Sequence, residues 1–106
     1  IEKHIKVALE KLNLTFDPRE VYSICSGSMR KIVRTGFCLV MEREQSWTTN
    51  LKKSCDVFSK YYPKQSANMK KALFLAQRPT ANKKDLEKIF KNFGGWLVDE
   101  AKIRLG

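Results

Sequence analysis

The strongest constraint on this chain is a helical repeat that starts at Asp17-Pro18 and is sustained to about residue 45. At about 100° per residue, Val21, Tyr22, Cys25, Met29, Ile32, Val33, Gly36, Leu39 and Val40 fall inside one arc of roughly 120°. An apolar stripe of that length needs partners along its whole face, so it predicts a helix at the centre of a bundle. Gly36 sits in the middle of the stripe. A glycine there costs the helix about 1 kcal/mol, and its use is to let another helix, or a bulky aromatic ring, come close. The start is equally specific. Asp17 is a good N-cap, Pro18 suits the first helical position, and Glu20 follows the Asp by three residues.

Two large apolar residues fall outside that arc. Phe37 and Met41 point about 100° from its centre, on the side that carries Arg30 and Arg34. Either this is a second core contact or it is a surface for a partner domain or an anionic ligand. Arginines four apart can both reach one phosphate or carboxylate. An exposed Phe37/Met41 face could also pair with itself in a two-fold homodimer.

Helical periods recur elsewhere. Residues 1–13 place Ile1, Ile5, Ala8, Leu9 and Leu12 on one face, with His4 beside that stripe and half exposed. Ser46 to Asn50 interrupt the long helix, and Thr48 or Thr49 can cap the next one. Leu51, Cys55, Phe58 and Tyr62 form its stripe, and Pro63 ends it. A fourth helix over about 64–77 uses Met69, Ala72, Leu73 and Ala76. Asn82 or Thr80 caps a fifth, whose face runs through Leu86, Ile89, Phe90, Phe93, Trp96 and Leu97. Gly94-Gly95 predict a kink or a break in it. The expectation is an all-α fold, an up-and-down bundle of four to five helices with one long central helix, forming a single helical domain over residues 1–106. The chain begins at Ile1 rather than Met and reads as the C-terminal part of a longer protein.

Composition narrows the function. At 42% apolar residues the chain is too hydrophobic to be disordered, and no apolar run approaches the roughly 20 residues that span a bilayer, so no membrane partner is expected. The net charge is +10, with +2 in residues 1–50 and +8 in residues 51–106. That field attracts phosphates or acidic proteins. The Lys pairs at 52-53, 70-71 and 83-84 either are solvated or form a basic patch that binds nucleic acid, with no motif for reading bases. Three cysteines, no CxxC and a single His argue against a zinc site and a disulfide framework. Cys25 and Cys55 read as small core residues in a reducing, cytoplasmic setting.

Catalytic signatures are missing: no Walker loop, GxSxG, HExxH or DxD. Asp99 and Glu100 are adjacent and point to different helix faces. A Cys–His pair would need His4 close to the N-terminus. No catalytic residue, metal ligand or cofactor site is therefore expected in this chain.

The stretch Arg30 to Arg43 (RKIVRTGFCLVMER), then Thr48-Thr49-Asn50-Leu51, Phe58 to Pro63 (FSKYYP) and Phe93 to Val98 (FGGWLV) resembles the C-terminal helical region of bacterial, especially cyanobacterial, nucleotidyltransferase-domain proteins, related to that of the aminoglycoside nucleotidyltransferases. The resemblance covers roughly residues 22–100. It implies an N-terminal catalytic domain, in the same chain or as a partner, that uses Mg2+ and a nucleoside triphosphate. The helical part would be a non-catalytic, substrate-binding accessory domain. The Gly-Ser turn and carboxylates of the catalytic domain do not occur here, and Ser26-Gly27-Ser28 lies inside a predicted helix. Arg34-Thr35-Gly36 and Glu42-Arg43 match in position, so Arg30, Arg34, Phe37, Met41, Glu42 and Arg43 are the candidate interface or anionic-ligand contacts. The alternative is a basic helical module binding nucleic acid or another acidic partner. Small helical ribonucleases encoded beside minimal nucleotidyltransferases carry an Arg shortly before a His, and His4 has no Arg before it.

Overall fold

Asp17 opens the central helix as its sequence predicts, with its side chain accepting the Arg19 N–H at 2.9 Å. Pro18 occupies the first turn, where a missing N–H costs nothing. Glu20 does something else than close a capping box. Its carboxylate accepts the Thr15 hydroxyl, and Thr15 Oγ1 in turn accepts the Asp17 N–H at 3.2 Å, so the turn leading into the helix is tied from both sides.

The computed structural model describes residues 1–45 and 47–105. Its elements are α1 (Glu2–Leu14), α2 (Pro18–Cys38), the single turn α3 (Met41–Glu44), α4 (Leu51–Tyr61), a 3-10 turn (Pro63–Gln65), α5 (Ser66–Gln77), α6 (Lys83–Ile89) and α7 (Gly95–Leu105). A π-helical turn, Phe90–Gly94, joins α6 to α7. The fold is an all-α bundle, with no strand among the described residues. None of their helices is long and apolar enough to cross a membrane.

The α2 helix is the centre. It packs against α1, α4, α5 and α7, while α4 and α5 also pack on each other. Cys25, Met29, Ile32 and Val33 are fully buried along it. At Gly36 the neighbours come closest: a Cβ built there would meet Met69 Cε of α5 at 2.2 Å and Phe58 Cδ2 of α4 at 3.2 Å. The glycine is the condition for that three-helix contact. Gly27, two and a half turns earlier on the opposite side, has nothing within 4 Å of its would-be Cβ.

Four expectations change. The long helix stops at Cys38 rather than near residue 45. The Leu39 and Val40 N–H groups bond to Gly36 and Phe37 carbonyls, three residues back instead of four, and this tightening closes a helix end. Gln45, at φ 52°, ends the turn that follows. The N-cap of α4 is Asn50, which accepts the Lys53 N–H at 2.9 Å; Thr48 supports it by accepting the Asn50 N–H. The chain stays helical through Gly94-Gly95. The π turn inserts one extra residue into the helix and keeps Phe90, Phe93 and Leu97 all buried, with Gly94 lying against Ile5 of α1. Finally, Tyr22 lies outside the core at 45% exposure, and Leu75 is buried where Leu73 is only partly so.

Around the far end of the bundle, Phe58 stacks on Tyr62 at 5.0 Å between centroids, Phe93 stacks on Trp96 at 5.8 Å, and Phe58 meets the edge of Trp96 at 6.0 Å. Such pairs each add about 0.5–1.5 kcal/mol beyond burial.

The two glycines of α2 separate space from propensity. Gly27→Ala stabilises the protein by about 0.5–1 kcal/mol, because the helix gains and nothing is displaced. Gly36→Val destabilises it by about 3 kcal/mol through overpacking against Phe58 and Met69. Urea unfolding midpoints move in opposite directions for the two variants.

Candidate functional site

On the side of α2 away from its core face, α1 and α2 leave a trough between them. Three adjoining cavities make it up. The first, about 580 Å³, lies at the α1–α2 turn among Lys11, Leu14, Arg19, Glu20 and Ile24. The second, about 290 Å³, shares Lys11, Ser23 and Ile24 with it. The third, about 390 Å³, shares His4 and Gly27 with the second and is bordered by Arg30, Lys31, Arg34 and Thr35. Gly27, Arg30, Lys31 and Arg34 face it together because they recur at three and four residues along α2.

At the α1–α2 turn Arg19 is paired with Asp17 at 3.8 Å; most of the other cations in the trough hold no carboxylate among the described residues. Among the described residues Lys11, Arg30, Lys31 and Arg34 have no ion-pair partner, whereas Lys60, Lys71, Lys91, Lys102 and Arg104 each hold a carboxylate at 2.6–3.2 Å. Glu20 accepts from the neutral Thr15 hydroxyl and keeps its negative charge at the α1–α2 turn, so the end whose charges are cations alone is the one at Arg30, Lys31 and Arg34. Guanidinium and ammonium groups gathered around a cavity without counter-charge suit a phosphate or carboxylate.

His4 spans the trough floor. Its Nε2 lies 3.3 Å from Ser28 Oγ and accepts the hydroxyl proton when the ring proton is on Nδ1. Burial, foremost, and then the nearby Lys31, the N-terminal amine and Lys11 push its pKa below the ordinary histidine range. His4 is therefore neutral at neutral pH. Ser28 is 3% exposed, so the pair is a strut between α1 and α2, and no substrate reaches that hydroxyl.

The six candidate contacts do not form one surface. Arg30 and Arg34 are exposed and line the trough. Phe37 is buried at 4% exposure, and Met41 is half-buried and packed against the core. Of the two readings of this side, the second core contact is the one that fits the burial of Phe37 and Met41, because α2 is covered on several sides and its buried arc widens to include Phe37. The homodimer argued from that face loses its basis. Glu42 and Arg43 belong to α3 and are exposed. Arg43 lies over the Tyr61 ring at 5.7 Å, beside Glu44, which accepts from Tyr61 OH at 2.8 Å and Lys60 Nζ at 3.2 Å. This is a separate, internally paired cluster.

A sequence reading misses Lys31, Lys11 and His4 as companions of Arg30 and Arg34. The i, i+3, i+4, i+7 set Gly27, Arg30, Lys31 and Arg34 was a usable signal; the pairing of His4 with α2 was not.

Another cavity, of about 410 Å³ and away from the trough, is bordered by Tyr62, Trp96, Glu100 and Arg104. Its polar groups satisfy one another: Glu100 accepts from Arg104 Nε at 3.1 Å and from Tyr62 OH at 3.3 Å. Among the described residues no cluster of three or more His, Cys, Asp or Glu could hold a metal ion. No protein-family model, curated protein or solved structure matches the chain.

A lowered histidine pKa has a defined consequence. Between the folded and unfolded values the unfolded chain binds more protons, so His4 costs stability as pH falls below about 6.5 and the cost is complete below the folded value. Thermal melts from pH 7 to pH 5 show a smaller loss of Tm for His4→Gln than for the wild type, and equal behaviour of the two would disprove the assignment.

Proposed function

We propose that this chain is a non-catalytic helical accessory domain that holds an anionic substrate in the α1–α2 trough. The observation that carries the reading is the set Arg30, Lys31 and Arg34, unpaired among the described residues, around a cavity of about 390 Å³. A group of cations that the fold leaves without partners is poised to accept them from a ligand.

The resemblance of residues 22–100 to the helical region of nucleotidyltransferase-domain proteins supports a more specific role. The domain would present the acceptor substrate to an N-terminal nucleotidyltransferase domain, in the same chain or bound to it. Mg2+ and the nucleoside triphosphate belong to that catalytic domain. This chain's own contribution is to bind and orient. A cytoplasmic setting belongs to the same reading and is supported by the free thiols of Cys25, Cys38 and Cys55.

Isothermal titration with ATP and with pyrophosphate tests the trough. Binding is expected for the wild type, and Arg30→Ala/Arg34→Ala weakens it at least about tenfold, since each lost charge-assisted hydrogen bond is worth about 1.5–3 kcal/mol. The melting temperature stays within a degree or two because both side chains are exposed. Lys52→Ala/Lys53→Ala, on α4, leaves binding largely intact. Equal losses in the two double variants would reduce the site to a general field effect.

A further inference from the structure

We propose that the anionic substrate is a single-stranded polynucleotide whose phosphodiester backbone follows the α1–α2 trough; this rests on the anion-binding reading above and names its ligand. A compact anion asks for cations that converge on one point. Here they are strung out. Lys11 and Arg19 border the cavity at the α1–α2 turn, and Arg30, Lys31 and Arg34 border the one at the other end. From Arg19 to Arg34 the helix rises about 22 Å, a length that takes about four to six nucleotides, the scale of the smallest single-strand sites.

Ser23, Gly27 and Ser28 share the floor between those ends with Val7, Ala8 and Ile24, and Gly27 leaves open space where a side chain would stand. A sugar-phosphate chain can lie close to such a floor. An acidic amphipathic helix would instead need apolar sockets at helical spacing, and the trough offers chiefly Ile24, Val7 and, at its very end, Leu14.

At the Arg19 end stands Phe16, 91% exposed. Burial explains nothing about a phenylalanine left so far in water. Lys83 Nζ lies 4.9 Å from its ring centroid and donates to the Thr15 carbonyl at 2.7 Å, which fixes the cation beside the ring. Phe16 follows Thr15, which lines the cavity at that end, and an exposed aromatic ring next to a cation is an arrangement on which single-strand binders stack a base. A duplex has its bases turned inward and cannot use this platform.

Fluorescence anisotropy with labelled ten-nucleotide U and dT strands tests the proposal, with a blunt DNA duplex, polyglutamate and ATP as the other arms. Micromolar affinity is expected at about 50 mM salt, with a log–log salt slope of about −3 for four neutralised phosphates. Arg30→Ala/Arg34→Ala lowers that slope by about 1.4. Phe16→Ala weakens the strands about tenfold or more and leaves the slope unchanged. Circular dichroism confirms that the surface variants remain folded. The single-strand assignment is overturned if the duplex binds as well as the strands, if Phe16→Ala has no effect, or if only polyglutamate or ATP binds in an Arg30/Arg34-dependent way. That last result leaves the anion-binding reading standing. If no anion in the set responds to Arg30→Ala/Arg34→Ala, both readings fall.

Discussion

The bundle depends on one close contact, where α2 meets α4 and α5 at Gly36. Met69 and Phe58, both fully buried, occupy the volume that any other residue at position 36 would claim. Burying side chains of this size contributes about 1.5–3 kcal/mol each, more than the roughly 1 kcal/mol that the glycine costs the helix. Because Phe58 also stacks on Tyr62 and meets Phe93 and Trp96 edge-on, the contact at Gly36 fixes the aromatic layer that receives α7. Most of the core therefore refers back to a missing side chain.

That arrangement decides where a ligand can sit. Packed from several sides, α2 keeps only one strip free, and the strip holds Gly27, Arg30, Lys31 and Arg34. The His4–Ser28 contact sets how far α1 stands from it. A rigid central helix thus supplies both the core face and the wall of the trough, and rigid elements hold a binding group in place better than loops do. The two roles are divided by helical angle alone.

The central stripe, the Asp17 cap, the Asn82 cap and the close approach at Gly36 were legible because each depends on residues within a few turns of one another. What failed depended on distant ones. Phe37 looked displaced from the core because 100° arithmetic measures direction and is blind to how many helices crowd around. The end of α2 at Cys38 carries no glycine or proline to announce it; two buried residues in succession, Leu39 and Val40, are held by i−3 bonds instead. The π turn was masked in the same way, since Gly94-Gly95 predict interruption and the buried Phe90, Phe93 and Leu97 require continuity. Of the candidate site, Arg30 and Arg34 were visible on one helix. Their true neighbours, His4 and Lys11, come from another.

Charge shows the same limit from a different side. Residues 51–106 carry +8 and residues 1–50 only +2, so counting points a partner toward the second half. The structure qualifies this. In the second half several cations are spent on carboxylates, through Lys60–Glu44, Lys71–Asp85, Lys91–Glu87, Lys102–Glu2 and Arg104–Glu100. Exposed pairs of this kind are worth little to stability, yet they lower the local field available to a ligand. Lys11, Arg30, Lys31 and Arg34 all come from the nearly balanced half, and their potential is focused by a concave seam between two helices. An anion responds to local potential within about a Debye length, so a weakly charged half can also hold an attractive surface.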